Sequence, residues 1–324
     1  MGTMRLVVDA RDRGAPEEVD VRRLGELLAD RGNRLWLDIG DPGDEDVALL
    51  RETFGFHELA LEEVTRPHER PRCDAYGGYH FIVIYAADQS GDTILPRELN
   101  VFWGENYLVT IHRRQTTVLA VLADARRRWE HHEGRHEFGV ACLAYALFES
   151  LVDGYFVVQD RVRGRMEDIE DSILTGAQGA AADLFRLRKE LLRVPRLLAP
   201  TTHVLAEVLR RERTIPEGLR PYFADVQDHA VHVLAELDTY RDLLGAALDV
   251  HVFSAFNRLG HVMQRLTAIT VVIMVPNLVA SVYGMNFTHS VPAGDSPYGF
   301  LAVTAFLAIM VAWGFIHSRM LGWL

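Results

Sequence analysis

Two long apolar runs close the chain. Leu266 to Tyr283 (LTAITVVIMVPNLVASVY) carries no charged residue, and neither does Tyr298 to Ile316, which follows a short polar loop. Each reaches the roughly 18 residues at which an apolar helix can cross the hydrocarbon core of a bilayer. The pattern predicts a terminal membrane hairpin: one span over 266–283, an outer loop over 284–297, a second span over 298–316 and a short tail over 317–324.

Upstream the periodicity changes. From Leu219 to Tyr283 the only prolines are Pro221, near the start, and Pro276, inside the first span. Apolar residues at 219, 222, 226, 230, 233, 237, 240, 244 and 247 step by three or four, a near-heptad stripe suited to helix packing. One continuous helix of this length would extend ~98 Å at ~1.5 Å per residue. With ~27 Å of it in the membrane, a stalk of about 70 Å is expected below, its stripe covered by copies of itself.

Residues 131–217 read as helical, and 218–265 as the cytosolic part of the long helix. The helix candidates are Val118–Glu130, Phe138–Leu174, with Leu143, Leu147, Leu151, Tyr155 and Val158 on an apolar face, and Ala181–Arg213, which Pro195 and Pro200 must interrupt. Residues 1–130 read as a mixed α/β domain. Met4–Asp9, Leu35–Ile39, Tyr79–Ala86 and Leu99–Thr110 have strand composition, the last two forming a strand pair or more; Asp44–Phe54 and Glu58–Thr65 have helical character, the first behind an acidic start.

The first span is not uniformly apolar. Thr267, Thr270, Met274, Asn277 and Ser281 recur at steps of three and four and share one helix face. Polar atoms in a membrane avoid lipid, so this face turns toward another helix or a watery cavity. Continued upward the stripe reaches Gly284 and Asn286; continued downward it reaches Leu266 and Met263.

Charge and chemistry narrow the reading. The 324 residues carry a formal net charge of −11, which argues against nucleic acid as a partner. Two cysteines, Cys73 and Cys142, make no disulfide framework. No phosphate loop, nucleophile elbow or zinc spacing is present, so an enzyme is not expected. Arg258 and Arg265 precede the first span and Arg319 follows the second, whereas 288–297 has no Lys or Arg, which places both termini in the cytosol. The acids Glu167, Asp168, Glu170 and Asp171 read as a solvated surface.

The stretch YGMNF (283–287), closing the first of two terminal spans, together with the final RMLGWL (319–324), resembles the CorA family of divalent-cation transporters. LWLDIGDP (35–42), FGFHELALEEV (54–64), RPRCDAYGGYHFIVIY (70–85), NYLVTIH (106–112), LVDGYF (151–156) and PYFADVQDH (221–229) follow in the family's order, so the resemblance covers nearly the whole chain. It implies a homopentameric funnel in the inner (plasma) membrane. The first spans would line a central pore, the long helices would form the funnel and the α/β domains would lie outside it. It implies uptake of Mg2+, with Co2+ or Ni2+ as substitutes.

By the same resemblance Gly284, Met285 and Asn286 form the selectivity filter. Asn277, Met274, Thr270, Leu266 and Met263 line the pore, and Met263, Leu266 and Met274 fall at its constrictions. Regulatory Mg2+ between subunits would bind Asp225 and Glu63, with Glu62 and Glu167 as further candidates. A ring of neutral amide oxygens suits hydrated Mg2+, which sheds water reluctantly. The chain departs from the family pattern at Gly260, where Asn is usual, and in the loop FTHSVPAGDSPYGF (287–300). A zinc-transporting branch of the superfamily, with His289 and His261 as ligands, is the alternative, and a membrane-tethered oligomeric scaffold is a more distant one.

Overall fold

The computed structural model describes residues 2–10, 15–65, 71–88, 94–175, 179–192, 194–210, 215–284 and 298–323. In chain order its elements are β1 (Thr3–Ala10), β2 (Glu17–Val19), α1 (Leu24–Ala29), β3 (Asn33–Gly40), α2 (Asp44–Phe54), α3 (Glu58–Thr65), β4 (Arg72–Tyr76), β5 (Tyr79–Asp88), β6 (Leu95–Gly104) and β7 (Tyr107–His112). The helical part follows with α4 (Thr116–His131), α5 (Arg135–Phe138), α6 (Val140–Leu174), α7 (Ala180–Leu191), α8 (Val194–Arg210), α9 (Arg220–Tyr283) and α10 (Gly299–Met320). The chain divides into two units, Met1–Gly245 and Ala246–Leu324.

The first unit is built on a seven-stranded sheet of order β2-β1-β3-β7-β6-β5-β4. Among the described residues only β3 and β7 pair in parallel, and every other neighbour is antiparallel. The expected strand stretch Leu99–Thr110 is two strands, β6 and β7, turning at Glu105 and Asn106.

Period-two alternation sends Leu35, Leu37 and Ile39 of β3, Phe81 and Val83 of β5, and Val109 and Ile111 of β7 to one face, where they form a core with Leu50, Leu61 and Phe56. The α2 helix on this side starts where Asp46 accepts the Gly43 N–H at 2.8 Å and stops at Gly55, whose φ of 64° is the left-handed conformation a glycine adopts without strain. On the other face lie α4 and α6, where the Trp129 ring meets Trp36 edge to face at 6.2 Å.

The predicted apolar positions of α6, from Leu143 through Val158, are all buried. The 181–213 region is broken as its prolines require: α7 ends at Leu191, α8 begins at Val194 with Pro195 in its first turn, and Pro200 lies inside α8.

The near-heptad stripe at the start of α9 is covered differently from the expectation. Leu219, Val226, Ala230, Val233, Leu237 and Leu244 are buried within the chain itself. Phe223 of α9 stacks on Trp103 of β6 and meets Tyr145 and Phe148 of α6, and His229 meets Phe156 of α6. The sequence period identified a packing face but not its partner, and α6 supplies the complementary surface.

Candidate ion-conducting helix and cytosolic acids

In the second unit the burial pattern assigns two faces to the upper part of α9. Gln264, Ala268, Val272, Pro276 and Val279 are partly or fully shielded, at steps of four, four, four and three. On α10 the shielded residues are Gly299, Val303, Leu307, Met310, Gly314 and Ser318. These two stripes are the seam of the hairpin: a Cβ on Gly314 would stand only 3.3 Å from Val272 Cγ2, so the glycine permits close approach.

Met263, Leu266, Thr270, Met274, Asn277 and Ser281 are all exposed. At about 100° per residue their mean direction lies roughly 180° around the helix from the seam. The polar stripe therefore faces away from α10.

Its chemistry is that of an oxygen-presenting surface. Thr267 Oγ1 donates to the Met263 carbonyl at 2.9 Å and Thr270 Oγ1 to that of Leu266 at 2.7 Å. With their protons committed inside the helix, both hydroxyls offer acceptor lone pairs outward. Gly284 extends the helical turn, its N–H donating to Ala280 O at 2.9 Å. Met285, Asn286 and the outer loop, with Asp295 and His289, lie outside the described residues.

The acids proposed for regulation are distributed over three elements of the first unit. Asp225, in the second turn of α9, is 68% exposed, with His229 Nδ1 at 3.8 Å. Glu63 on α3 is ion-paired with Arg72 of β4. Glu62, beside it, is exposed, and its carbonyl accepts the Thr65 hydroxyl at 2.8 Å. Glu167 is exposed on α6. Among the described residues, no three His, Cys, Asp or Glu side chains are arranged within this chain to hold a metal ion.

One feature of the Asp225 neighbourhood was absent from the sequence reading. Arg128 of α4 binds Asp124 at 2.7 Å, Glu149 at 3.0 Å and Asp153 at 2.5 Å, and Ser150 donates to Asp124 at 2.9 Å. Burial opposes the charge on both partners. The hydrogen bonds nevertheless prevail, holding the Asp124 carboxyl below its usual range and the guanidinium above its own.

Tyr145 OH donates to Glu149 at 2.9 Å, and its ring lies 5.7 Å from Tyr222 and 5.8 Å from Phe223. Burial, then Glu149, and finally the charge of Asp225 push the Tyr145 phenol up. The turn of α9 carrying Asp225 is thus tied through Tyr145 to the α4–α6 ion network. The i, i+4 pair Asp124–Arg128 was a visible signal; its α6 partners were not.

Residues 32–317 match the family described as CorA-like Mg2+ transporter protein. The putative metal ion transporter YfjQ of Bacillus subtilis is 31% identical over 294 residues, covering 89% of both chains. The chain belongs to the CorA family. A second relative, the cobalt/magnesium transport protein CorA of Thermotoga maritima, is 26% identical over 305 residues, 91% of this chain and 85% of its own. The solved structure of the CorA magnesium transporter from Methanocaldococcus jannaschii superposes with a TM-score of 0.84 at 22% identity, covering 100% of both chains.

This CorA-family chain is therefore a membrane transporter of divalent cations rather than an enzyme, with an N-terminal α/β domain and two helices, the long α9 and the shorter α10, each with a little-buried stretch long and apolar enough to span a bilayer.

Proposed function

We propose that the chain assembles as a homopentamer in the inner membrane, both termini cytosolic, and conducts Mg2+ inward through a central path lined by α9. Co2+ and Ni2+ are accepted in its place. The observation that carries this reading is the opposition of the two faces of α9. The chain covers one with α10 and leaves the other, with Thr270, Asn277 and Ser281, uncovered. A polar face is costly against lipid and is satisfied when copies of the same helix enclose water.

Residues Gly284, Met285 and Asn286 form the outer filter in this reading, five Asn286 amides holding the hydrated ion through its waters. The apolar rings of Met263, Leu266 and Met274 restrict passage. The inward drive is electrical: a divalent cation gains about 4.6 kcal/mol per ~100 mV, inside negative. Mg2+ held between subunits at Asp225 and Glu63, with Glu62 and Glu167 nearby, favours the closed assembly by cancelling repulsion among carboxylates. At Glu63 that cation competes with Arg72.

Reconstitution in liposomes tests the reading. Mg2+ uptake driven by an inside-negative potential is expected, and Asn286→Ala should abolish most of it while leaving the oligomer's size unchanged. Zn2+ uptake that needs a pH gradient would instead move the protein to the zinc branch, and no flux of either ion would leave only a scaffold.

A further inference from the structure

Just before the membrane span, α9 changes character. Val252, Phe256 and Leu259 are exposed, Phe256 to 67%. They step by four and three, and another four leads to Met263, then three to Leu266. At about 100° per residue all three lie within roughly 40° of the centre of the polar stripe. The opposite side of this segment carries Ser254, Asn257, Arg258 and His261. The flanks carry Phe253 and Val262, both exposed and apolar, where neighbouring copies would pack. The segment is amphipathic, and its apolar front is in phase with the face assigned to the ion path.

We propose that Val252, Phe256 and Leu259 continue the apolar constriction of Met263 and Leu266 toward the cytosol, with Phe256 as its bulkiest ring. This inference rests on the pore reading above. From Val252 to Leu266 the front is an unbroken apolar stretch about 21 Å long at ~1.5 Å per residue. Along it a hydrated Mg2+ meets no oxygen ligand from a side chain. Apolar constrictions gate by excluding water, and Mg2+ gives up its own waters reluctantly, so a stretch of this length blocks the ion until the helices separate. On this view the barrier is not two rings at the foot of the membrane but five, three of them below it. The substitution with the greatest leverage is at Phe256.

The experiment uses the full chain in liposomes under an inside-negative potential, with Mg2+ uptake followed by an indicator dye. Phe256→Asn, which lets water wet the ring, should raise the initial rate about tenfold, whereas Phe256→Leu should leave it near that of the parent. Independently, Phe256→Cys in a Cys73→Ser background should make uptake about tenfold more sensitive to Cd2+ than the Cys73→Ser parent, because a thiol in the ion path binds a soft cation.

An Asn variant that assembles at the parent's size with an unchanged rate overturns the proposal, as does a Cys variant no more sensitive than its parent. Should Phe256→Asn fail to assemble, the Cys variant decides alone. A parent chain that carries no Mg2+ overturns the pore reading and this proposal together. Uptake by the parent with indifferent variants overturns this proposal only.

Discussion

Two of the chain's long apolar helices, α6 and α10, satisfy the same length and composition requirements for crossing a membrane, yet they are surrounded differently. The most apolar stretch of α6 is 72% buried by the rest of the chain; that of α10, like that of α9, is 6% buried. In α6 the acids Glu149 and Asp153 are held by Arg128, and its apolar side lies against α4 and the sheet. In α10 the first basic residues are His317 and Arg319 in the last turn, and Phe300, Ile309 and Trp313 are largely exposed, with Trp313 stacked only on His317 of its own helix among the described residues. Apolarity alone says that a surface must leave water. Whether protein or lipid receives it depends on the other elements the chain provides.

The sharpest way to break this comparison is to put one charge into each helix. Leu151→Asp in α6 places a carboxylate at a site 1% exposed with no counter-charge designed for it. An uncompensated buried charge costs about 4 kcal/mol, enough to unfold a marginally stable unit. Thermal unfolding of the detergent-solubilised protein should show the first unit melting far earlier or not folding at all. A small shift would mean that α6 is not the core helix described.

Ile309→Asp is the matching change in α10. Ile309 is 67% exposed, so were this surface in water the substitution would be nearly neutral. In a bilayer it should cost about 3 kcal/mol of insertion free energy near the helix centre. Glycosylation mapping of span insertion measures it directly. Unimpaired insertion would place α10 outside the hydrocarbon core.

How much of this could be read without coordinates follows the range of each interaction. The exposed stripe on α9 was legible because its residues recur at three and four along one helix, and the strands because β-branched and aromatic residues cluster between turns. The cover over the start of α9 was not. The step from Val226 to Leu244 identifies a packing face equally well whether the partner is another copy or α6, and only the tertiary fold brings Phe148 and Trp103 against Phe223. The α6 partners of Arg128 were invisible for the same reason, since Arg128 and Asp153 are on separate helices 25 residues apart. The Arg72 counter-ion of Glu63 joins α3 to β4, a pairing that no periodicity reports.

The units also differ in how they treat polar groups, and the smallest predicted effect tests that difference. The second unit leaves Asn277 on an uncovered face, whereas the first buries His112 close to a carboxylate. At the paired C-terminal ends of β3 and β7, His112 is 3% exposed, its Nε2 lies 3.3 Å from Asp38 Oδ1, and its Nδ1 lies 2.9 Å from the Arg113 carbonyl. Asp38 in turn accepts the Thr110 hydroxyl at 2.6 Å, and that hydroxyl accepts the Trp36 indole N–H at 3.0 Å.

Burial alone would lower the His112 pKa. The Asp38 carboxylate beside it, helped by the Arg113 carbonyl and Asp41, outweighs burial and raises it. A raised folded pKa favours the folded state fully below the unfolded value of about 6.5, and the benefit disappears as pH rises through the folded value. The melting-temperature gap between the parent and His112→Gln should therefore be widest in mildly acidic solution and narrow as the solution becomes alkaline. A gap that widened with pH would mean that the imidazole is buried neutral, with Asp38 as a hydrogen-bond partner rather than a counter-ion.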